Sequence, residues 1–362
     1  MRIATWPHRR SGFTLIELLV SVSIIAVLMS LITPAVMNAR SSARKLQCLN
    51  RIRNITIGVL GYETANRRFP ASGHFAATGP EQYHSWVVDT LPFLDRQDLF
   101  DRYDKNETFD SPGNSEITSA HLPVLVCPSD ITVVSGFGNL SYVVNSGFGW
   151  TVPVDCPVSI HTVPGLAPTV APIDFNGDGV ICPFVATSGV HSDRSLFEDT
   201  ALFFLENWPK GTGTVRHHSI DNVMDGASNT IMLAENVRAG YDPQTGDGWG
   251  SPEARRNSFF VSSFVCASGT CSEGNVDYSN ANNRSASPYR FESLNSSLTQ
   301  GEGEAPWPSA YHGGVINVSF CDGRATSIDA DIDGAVYAAL VSPRGNRIRG
   351  PLRQEILSQN DF

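Results

Sequence analysis

The sequence is poor in charged residues, which make up 17% of its 362 positions, whereas 41% are hydrophobic. This balance excludes an intrinsically disordered chain, because disordered segments combine high charge with few apolar residues. Repeats at solenoid spacing and low-complexity tracts are both absent, which excludes repeat architectures. The length is sufficient for one large domain or two smaller ones with a buried core.

Two catalytic signatures are also missing. The chain contains no G-x-S-x-G motif and no H-E-x-x-H motif. It therefore has neither the nucleophile turn of many hydrolases nor the helical histidine pair of zinc proteases. We expect the protein not to be an enzyme, and an envelope hydrolase is the weakest of the functional hypotheses.

The cysteines do not follow a zinc-binding pattern. There are seven: Cys48, Cys127, Cys156, Cys182, Cys266, Cys271 and Cys321. Cys266 and Cys271 are separated by four residues and have no matching second pair. If the body lies outside the cytoplasm, disulfides are permitted, and we predict Cys266–Cys271 and Cys156–Cys182. A Cys48–Cys127 bridge is an alternative that would leave Cys321 unpaired.

The net charge of −10 is unevenly distributed. Residues 1–12 carry three arginines, residues 13–39 carry only Glu17, and residues 40–68 carry a net charge of +6, which leaves −18 for residues 69–362. An acidic body repels nucleic acid and favours bound cations. The sequence therefore predicts no nucleic-acid partner.

One long apolar run spans residues 13–36 and contains a single charged residue, Glu17. Its length suits a membrane-spanning helix and exceeds the apolar core of a cleaved secretory signal. A carboxylate within hydrocarbon is costly and usually has a partner or a function. An ordinary membrane anchor would not explain Glu17.

The stretch GFTLIELL, residues 12–19, resembles the class III signal of type IV pilins and type II secretion pseudopilins. In that family a prepilin peptidase cuts after the glycine on the cytoplasmic side and methylates the new N-terminus. The resemblance implies cleavage after Gly12, with Phe13 as the methylated first residue of the mature chain. It also implies that Glu17 pairs with the amine of a neighbouring subunit, which would neutralise the buried carboxylate.

The signal also predicts topology. We expect a single-pass inner-membrane protein whose N-terminus is cytoplasmic before cleavage and whose body is periplasmic or extracellular. The positive-inside rule favours the opposite orientation, because the leader has three basic residues and the segment Arg40–Arg53 has five. The cleavage motif outweighs this count, since the peptidase reads it from the cytoplasm.

Apolar residues at three- and four-residue steps extend the helix from Met37 to about Asn66. Leu46, Ile52 and Ile55 belong to this apolar face. The sequence therefore predicts four parts: a basic leader (1–12), a transmembrane assembly helix (13–36), its soluble continuation (37–68) and an acidic extracytoplasmic pilin-like domain (69–362) with insertions near 150–215 and 240–305.

The body is rich in short apolar runs bounded by turn residues. We predict strands in SWVVDTLPFL, LPVLVC, NLSYVVNSGFGW, NTIMLAE and GGVINVSFCDG. In the last of these, Ile316, Val318 and Phe320 alternate with residues of the opposite face. VYAALVS is predicted to be a short helix that Asp333 caps. The fold class is α+β: a long N-terminal helix packed on an antiparallel sheet with loop-rich insertions.

Four segments resemble a large, uncharacterised, pilin-like family of bacterial envelope proteins with a prepilin signal and a C-terminal H-x(9)-D-G motif. They are ARKLQCLNRIRNITIGVLGYETANRRFP, CPSD, DGASNTIMLAEN and HGGVINVSFCDGRA. The motif residues are His312, Asp322 and Gly323.

These motif residues are expected to be structural. An extended strand would separate His312 from Asp322 by roughly 25–30 Å, which excludes a catalytic dyad. We expect His312 to bond backbone at the start of the strand and Asp322–Gly323 to form a hairpin turn. Residues 216–218, the sequence RHH, are expected in a surface loop.

The segment DFNGDGVIC is the best cation-binding candidate. Its ligands would occupy positions 1, 3, 5 and 7 of a calcium-binding loop: Asp174, Asn176, Asp178 and Val180. Val185 stands where such loops carry a bidentate glutamate, so that ligand would come from elsewhere, with Asp193 or Glu198 as candidates. The alternative is an exposed Asp/Asn/Gly turn.

The leading hypothesis is a non-enzymatic pseudopilin-like subunit of an envelope filament or secretion-type apparatus. Its partners would be prepilin peptidase, the inner membrane and other pilin-like subunits bound through the N-terminal helix. The alternative is a membrane-tethered module that binds an extracellular ligand such as a polysaccharide.

Overall fold

The computed structural model describes thirteen segments of the chain: residues 14–76, 81–152, 156–161, 169–177, 193–206, 217–240, 248–266, 270–272, 274–285, 289–296, 298–301, 303–348 and 350–355. The chain divides into two compact units, residues 1–44 and residues 45–362. Each unit is described by itself.

Helix α1 extends over 52 residues, Leu15–Asn66, and contains Pro34. Its N-terminus is capped by a reciprocal pair of hydrogen bonds between Thr14 and Glu17. The backbone N–H of Thr14 donates to Glu17 Oε2 at 2.9 Å, and the backbone N–H of Glu17 donates to Thr14 Oγ1 at 3.3 Å. In the first unit the large apolar side chains of α1 are exposed. The helix is long and apolar enough to cross a membrane.

Within the described residues, the second unit combines short helices with three sheets. The further helices are α2 Trp86–Thr90, α3 Gln97–Phe100, α4 Pro112–Thr118, α5 Asp193–Thr200, α6 Ala254–Asn257 and α7 Gly334–Val341. The strands are β1 Gly73–Phe75, β2 Gln82–Ser85, β3 Tyr142–Asn145, β4 Trp150–Val152, β5 Cys156–His161, β6 Thr169–Pro172, β7 Leu205–Glu206, β8 Ile231–Glu235, β9 Ser258–Phe259, β10 Val315–Phe320 and β11 Ala325–Asp329.

The main sheet has five strands in the order β11-β10-β8-β3-β9. Three of its pairs are antiparallel, and the edge pair β3–β9 is parallel. Two smaller sheets have the orders β2-β1-β7 and β4-β5-β6, and β1–β7 is also parallel. The predicted α+β class with a long N-terminal helix is confirmed. The main sheet is mixed rather than purely antiparallel, because its edge strand β9 pairs with β3 in parallel.

The two faces of the main sheet pack against different layers. Ile316, Val318 and Phe320 lie in one core cluster together with residues of α7. The opposite face packs on the second half of α1, where Thr56 Oγ1 donates to Ser319 Oγ at 2.6 Å. The predicted alternation along β10 is therefore confirmed, and both of its faces are buried.

The apolar stripe of α1 in the second unit consists of Cys48, Ile52, Ile55 and Val59, all fully buried. These positions recur at three- and four-residue steps, as one face of a helix requires. Burial stabilises each isoleucine by roughly 2 kcal/mol. Leu46 was expected on this face, but it is 61% exposed, and the stripe begins at Cys48.

Two predicted strands are wrong. The run at SWVVDTLPFL forms α2 followed by a 3₁₀ helix, Leu91–Leu94, and LPVLVC contains the 3₁₀ helix Pro123–Leu125. Ser85 caps α2 by accepting from the backbone N–H of Val87. Periodicity could not reveal this, because every residue of α2 is buried and no polar face marks the helical repeat.

The C-terminal hairpin and helix follow the sequence prediction. Asp322 Oδ1 accepts from the backbone N–H of Arg324 at 2.8 Å, and Gly323 has φ +87° in the turn between β10 and β11. Asp333 caps α7 by accepting from the N–H groups of Ala335 and Val336. Asp322 and Gly323 of the H-x(9)-D-G motif thus lie in the turn of this hairpin.

Candidate functional site

Four side chains capable of binding a metal converge in the second unit: Cys48, Cys127, Glu235 and His312, which we call the Cys/His/Glu cluster. Cys48 lies on α1, Cys127 follows the 3₁₀ helix Pro123–Leu125, Glu235 is the last residue of β8, and His312 precedes β10. Each belongs to a different one of the four segments that carry the family resemblance. The fold therefore joins these four segments at one point.

The cluster is compact and buried. His312 Nε2 lies 3.2 Å from Glu235 Oε1 and 3.4 Å from Cys127 Sγ. The side chains of His312 and Glu235 are 2% and 0% exposed. One ligand atom from each of the four residues lies within 4.8 Å of every other. Cys48 and Cys127 form a disulfide with a Cα–Cα distance of 5.1 Å.

Backbone groups fix the orientation of the cluster. Asn317 donates its N–H to Glu235 Oε2 at 3.0 Å, so the carboxylate bridges β10 and His312. Ser129 donates its N–H to Cys127 Sγ at 3.4 Å. We expected His312 to hydrogen-bond to the backbone, but its Nε2 instead contacts the side chains of Cys127 and Glu235.

A phenol and a guanidinium flank the cluster. Burial raises the pKa of Tyr142 well above its ordinary value, and the charge of Glu235 raises it further. Tyr142 is therefore neutral and donates its hydroxyl to the carbonyl of Cys48 at 3.3 Å. Arg51 donates to the carbonyl of Val126, beside Cys127, and its positive charge acts on Tyr142 in the opposite direction.

Glu235 is the member of the cluster that the sequence prediction missed. It ends the run IMLAE, and strand alternation places it on the same face as Leu233, which lies in the core cluster against α1. A carboxylate at an inward position of a predicted strand was the available signal. Only the tertiary fold shows that His312 is its neighbour, 77 residues away.

The structure contains two disulfides within the described residues, Cys48–Cys127 and Cys266–Cys271. Cys321 is buried as a free thiol, as the alternative pairing required, and burial raises its pKa. It is therefore an unreactive thiol at neutral pH. Cys182 lies outside the described residues, so the predicted Cys156–Cys182 pair does too.

A second polar group, the histidine cluster, is formed by His74, His84, Asp89, Lys105 and Glu206. Asp89 lies 2.8 Å from His74 Nε2, 3.4 Å from His84 Nε2 and 2.6 Å from Lys105 Nζ. The rings of His74 and His84 stack at a centroid distance of 4.1 Å. Glu206 lies 3.5 Å from His74 Nδ1. The sequence prediction did not identify this group, since its members lie on three strands (β1, β2 and β7), on helix α2 and in the loop that contains Lys105.

Burial and charge act in opposite directions in the histidine cluster. Burial lowers the pKa of His84, although Asp89 partly counteracts it. For Asp89, burial alone would raise the pKa, but hydrogen bonds and charge from His74 and His84 prevail and hold it well below its ordinary value. Asp89 is therefore ionised at neutral pH, and His84 is neutral.

The surface position expected for residues 216–218 is wrong for His218, which is 1% exposed and packs edge-on against Phe204 at 5.1 Å between ring centroids. His217 is partly buried, and its Nε2 lies 2.7 Å from a guanidinium nitrogen of Arg68. Burial and Arg68 lower the pKa of His217. Arg216 lies outside the described residues.

The calcium candidate is described only in part. Asp174 is fully buried, and its Oδ1 accepts from the backbone N–H of Gly177 at 2.6 Å. Asn176 donates its N–H to Asp193 Oδ1 at 3.0 Å, so Asp193 lies against the loop. Asp178 and Val180 lie outside the described residues.

The processing site also lies outside the described residues, which begin at Thr14. Glu17 is in the first turn of α1 and accepts from both the N–H and the hydroxyl of Thr14, at 2.9 and 2.8 Å. The carboxylate is thus held at the N-terminal end of an exposed apolar helix.

Comparison with known families defines the class of protein. The model of the prokaryotic N-terminal methylation motif matches residues 7–33. The chain is therefore a pilin-like protein with a prepilin signal, a substrate of prepilin peptidase and a membrane-anchored protein of the cell envelope. The motif implies assembly with pilin-like subunits, and proteins that carry it are typically structural.

A second family model, described as "Protein of unknown function (DUF1559)", matches residues 37–335. The match covers most of the chain and includes all four residues of the Cys/His/Glu cluster. The chain belongs to this family. No curated protein matches the sequence, and no solved structure matches the fold.

Proposed function

We propose that the protein is a non-enzymatic, pseudopilin-like assembly subunit of an envelope filament or secretion-type apparatus. The observation that carries the proposal is the position of Glu17 in the first turn of a long helix whose apolar side chains are exposed. Exposed apolar surface of this extent must be covered by lipid or by other helices. A carboxylate in that environment requires a cationic partner.

The N-terminal amine of a neighbouring mature subunit supplies such a partner. Cleavage after Gly12 would place a methylated amine on Phe13, four residues before Glu17 in sequence. Within one chain, Thr14 already binds the carboxylate through its N–H and its hydroxyl. A second subunit can approach the remaining oxygen of Glu17 from outside the helix.

The topology follows from the same signal. The N-terminus would be cytoplasmic before cleavage, α1 would cross the inner membrane once, and the body would be periplasmic or extracellular. The two disulfides in the described part of the body support this location, because oxidising compartments permit them. Protease digestion of spheroplasts should degrade the body from outside, whereas protection of the body would contradict this topology.

The absence of catalysis is also part of the proposal. Cys127, His312 and Glu235 are the residue types of the nucleophile, base and orienting acid of a cysteine hydrolase, but Cys127 and Glu235 both contact Nε2 of His312, whereas such a triad uses both ring nitrogens. Cys127 Sγ is in a disulfide, however, and the side chains of His312 and Glu235 are almost inaccessible to solvent. In this state the group has no free nucleophile.

We further propose that the body binds calcium through the loop beginning at Asp174. Asp193, which the sequence offered as a replacement ligand, contacts this loop through Asn176. Carboxylate and carbonyl oxygens are the ligands that calcium prefers.

Assembly through Glu17 is tested by a Glu17→Gln variant. The matched control is Ser23→Ala, which alters another polar residue of the same helix; the Ser23 hydroxyl bonds only to the nearby carbonyl of Val20, at 2.8 Å. Glu17→Gln should leave the protein in the membrane but remove its crosslinks to other pilin-like subunits, and Ser23→Ala should retain them. Retained crosslinks and function in Glu17→Gln would favour the membrane-tethered binding module instead.

Processing has its own measurement. Intact-mass analysis of protein from its native membrane should show a chain that begins at Phe13 and carries one additional methyl group. A chain that begins at Met1, in cells that process other prepilins, would contradict the proposal.

A further inference from the structure

We propose that the Cys/His/Glu cluster is a zinc site in the dithiol state of the protein, and that the Cys48–Cys127 disulfide is the metal-free state of the same site. The four ligands would be Cys48 Sγ, Cys127 Sγ, His312 Nε2 and one oxygen of Glu235. This inference does not depend on the role of Glu17 in assembly.

The ligand set suits Zn²⁺. Two thiolates, an imidazole and a carboxylate are four ligands of the types that zinc binds, and four is its usual number in structural sites. Soft sulfur ligands disfavour calcium and magnesium. The set combines residues from four distant segments, so no short Cys-x-x-Cys spacing could reveal it in the sequence.

The distances also suit the site. With zinc–ligand bonds of about 2.0–2.3 Å, the ligand atoms of a tetrahedral site lie roughly 3.3–3.8 Å apart. His312 Nε2 is 3.4 Å from Cys127 Sγ and 3.2 Å from Glu235 Oε1, and all four ligand atoms fit within 4.8 Å. The two sulfurs, which are bonded to each other, must move apart.

Outer hydrogen bonds already orient the ligands. Asn317 holds Glu235 Oε2 through its backbone N–H, which leaves Oε1 directed at His312. Ser129 donates its N–H to Cys127 Sγ, a bond that stabilises a thiolate. Such outer partners commonly orient ligands at metal sites.

Charge favours the same conclusion. Two thiolates and one carboxylate would leave the occupied site with a single negative charge, and Arg51 lies beside Cys127 to offset it. A disulfide, in contrast, requires neither a histidine nor a glutamate. Burying His312 and Glu235 beside it is costly, and ligation of a cation gives that burial a function.

A small-molecule dithiol acts as the reductant that converts the disulfide state into the dithiol state. The dithiol is oxidised to its own disulfide and transfers two electrons and two protons, which break the Cys48–Cys127 bond and form two thiols. Binding of Zn²⁺ then releases the two thiol protons to solvent as both sulfurs become thiolates.

The test uses the full-length chain in detergent, prepared metal-free in reduced and oxidised forms. Zn²⁺ is titrated in competition with a chromophoric chelator, and Co²⁺ is used as a spectroscopic probe of tetrahedral sulfur ligation. The reduced form should bind one Zn²⁺ per chain and show thiolate–Co²⁺ absorption, whereas the oxidised form should bind none at this site.

Variants assign the ligands. The double variant Cys48→Ser/Cys127→Ser should abolish the Co²⁺ thiolate bands, and each single variant should weaken them. His312→Ala should weaken zinc binding by more than about tenfold. The matched controls are Cys321→Ser, which removes the buried free thiol, and the double variant Cys266→Ser/Cys271→Ser, which removes the other disulfide. Both controls should bind Zn²⁺ like the parent protein.

Two results would overturn the inference. One is a reduced parent protein that binds no Zn²⁺, whether it stays folded or unfolds. The other is binding that persists unchanged in Cys48→Ser/Cys127→Ser. Circular dichroism of every protein form and variant separates the loss of a ligand from the loss of the fold. A folded His312→Ala protein with unchanged zinc affinity would exclude His312 as a ligand.

Discussion

His312 Nε2 and Glu235 Oε1 lie 3.2 Å apart in the interior of the second unit, with side-chain exposures of 2% and 0%. The pair joins the segment before β10 to the end of β8, two strands that are neighbours in the main sheet. Through Cys127 and Cys48 it continues to helix α1. The histidine of the H-x(9)-D-G motif thus connects the sheet to the helix, whereas the aspartate and glycine form the hairpin turn.

The first prediction concerns this pair. His312→Ala should destabilise the oxidised protein by about 3 kcal/mol, because it leaves a buried carboxylate without its partner. Urea unfolding, followed by circular dichroism, measures the loss. The double variant His312→Ala/Glu235→Gln should be less destabilised than the sum of the two single changes. Additive effects would show that the two side chains are not coupled.

The second prediction concerns Gly323, whose φ of +87° is a conformation that side chains disfavour. Gly323→Ala should destabilise the protein by about 1 kcal/mol. The matched control is Gly113→Ala in α4, where φ is not in the left-handed region and no atom lies within 4 Å of an added Cβ. Thermal melts of both variants provide the comparison, and equal effects would contradict a special role for the turn.

Much of this hairpin could be predicted from the sequence, because alternation along β10 and the Asp-Gly turn are local signals. The helix Trp86–Thr90 could not, since all its residues are buried and no polar face marks its period. The Cys/His/Glu cluster was also beyond reach. His312 is 77 residues from Glu235 and 185 residues from Cys127 in sequence, and only the tertiary fold brings the three together.

The third prediction is a loss of stability in acid through the histidine cluster. Burial holds the pKa of His84 below 6.5, so the unfolded chain binds this proton more readily than the folded chain. The contribution of His84 is therefore complete above pH 6.5 and is lost as pH falls below that value. Asp89, whose pKa is held well below 3.8, adds a further loss only below about pH 3.8.

The measurement is the melting temperature between pH 7.5 and pH 5. It should fall toward pH 5, and His84→Gln should reduce that slope because it removes the titrating ring. His121→Gln, which alters an exposed histidine, should retain the parent slope. If the slope is the same in all three proteins, the acid response does not arise from His84.

The fourth prediction tests calcium binding. A ligand that binds only the folded state raises its stability by RT ln(1 + [L]/Kd), so saturating Ca²⁺ should raise the melting temperature of the metal-free oxidised protein. Mg²⁺ should raise it less, because the smaller ion prefers a stricter octahedral geometry. Asp178→Ala, which removes the ligand oxygen, should abolish the increase. Asp331→Ala should retain it, because Asp331 lies outside the Asp174 loop, forms an ion pair with Arg284 and lies near the N-terminus of α7. A melting temperature that Ca²⁺ leaves unchanged would show that the Asp174 loop is an Asp/Asn/Gly turn, in which the Asp174–Gly177 bond serves only to close the backbone.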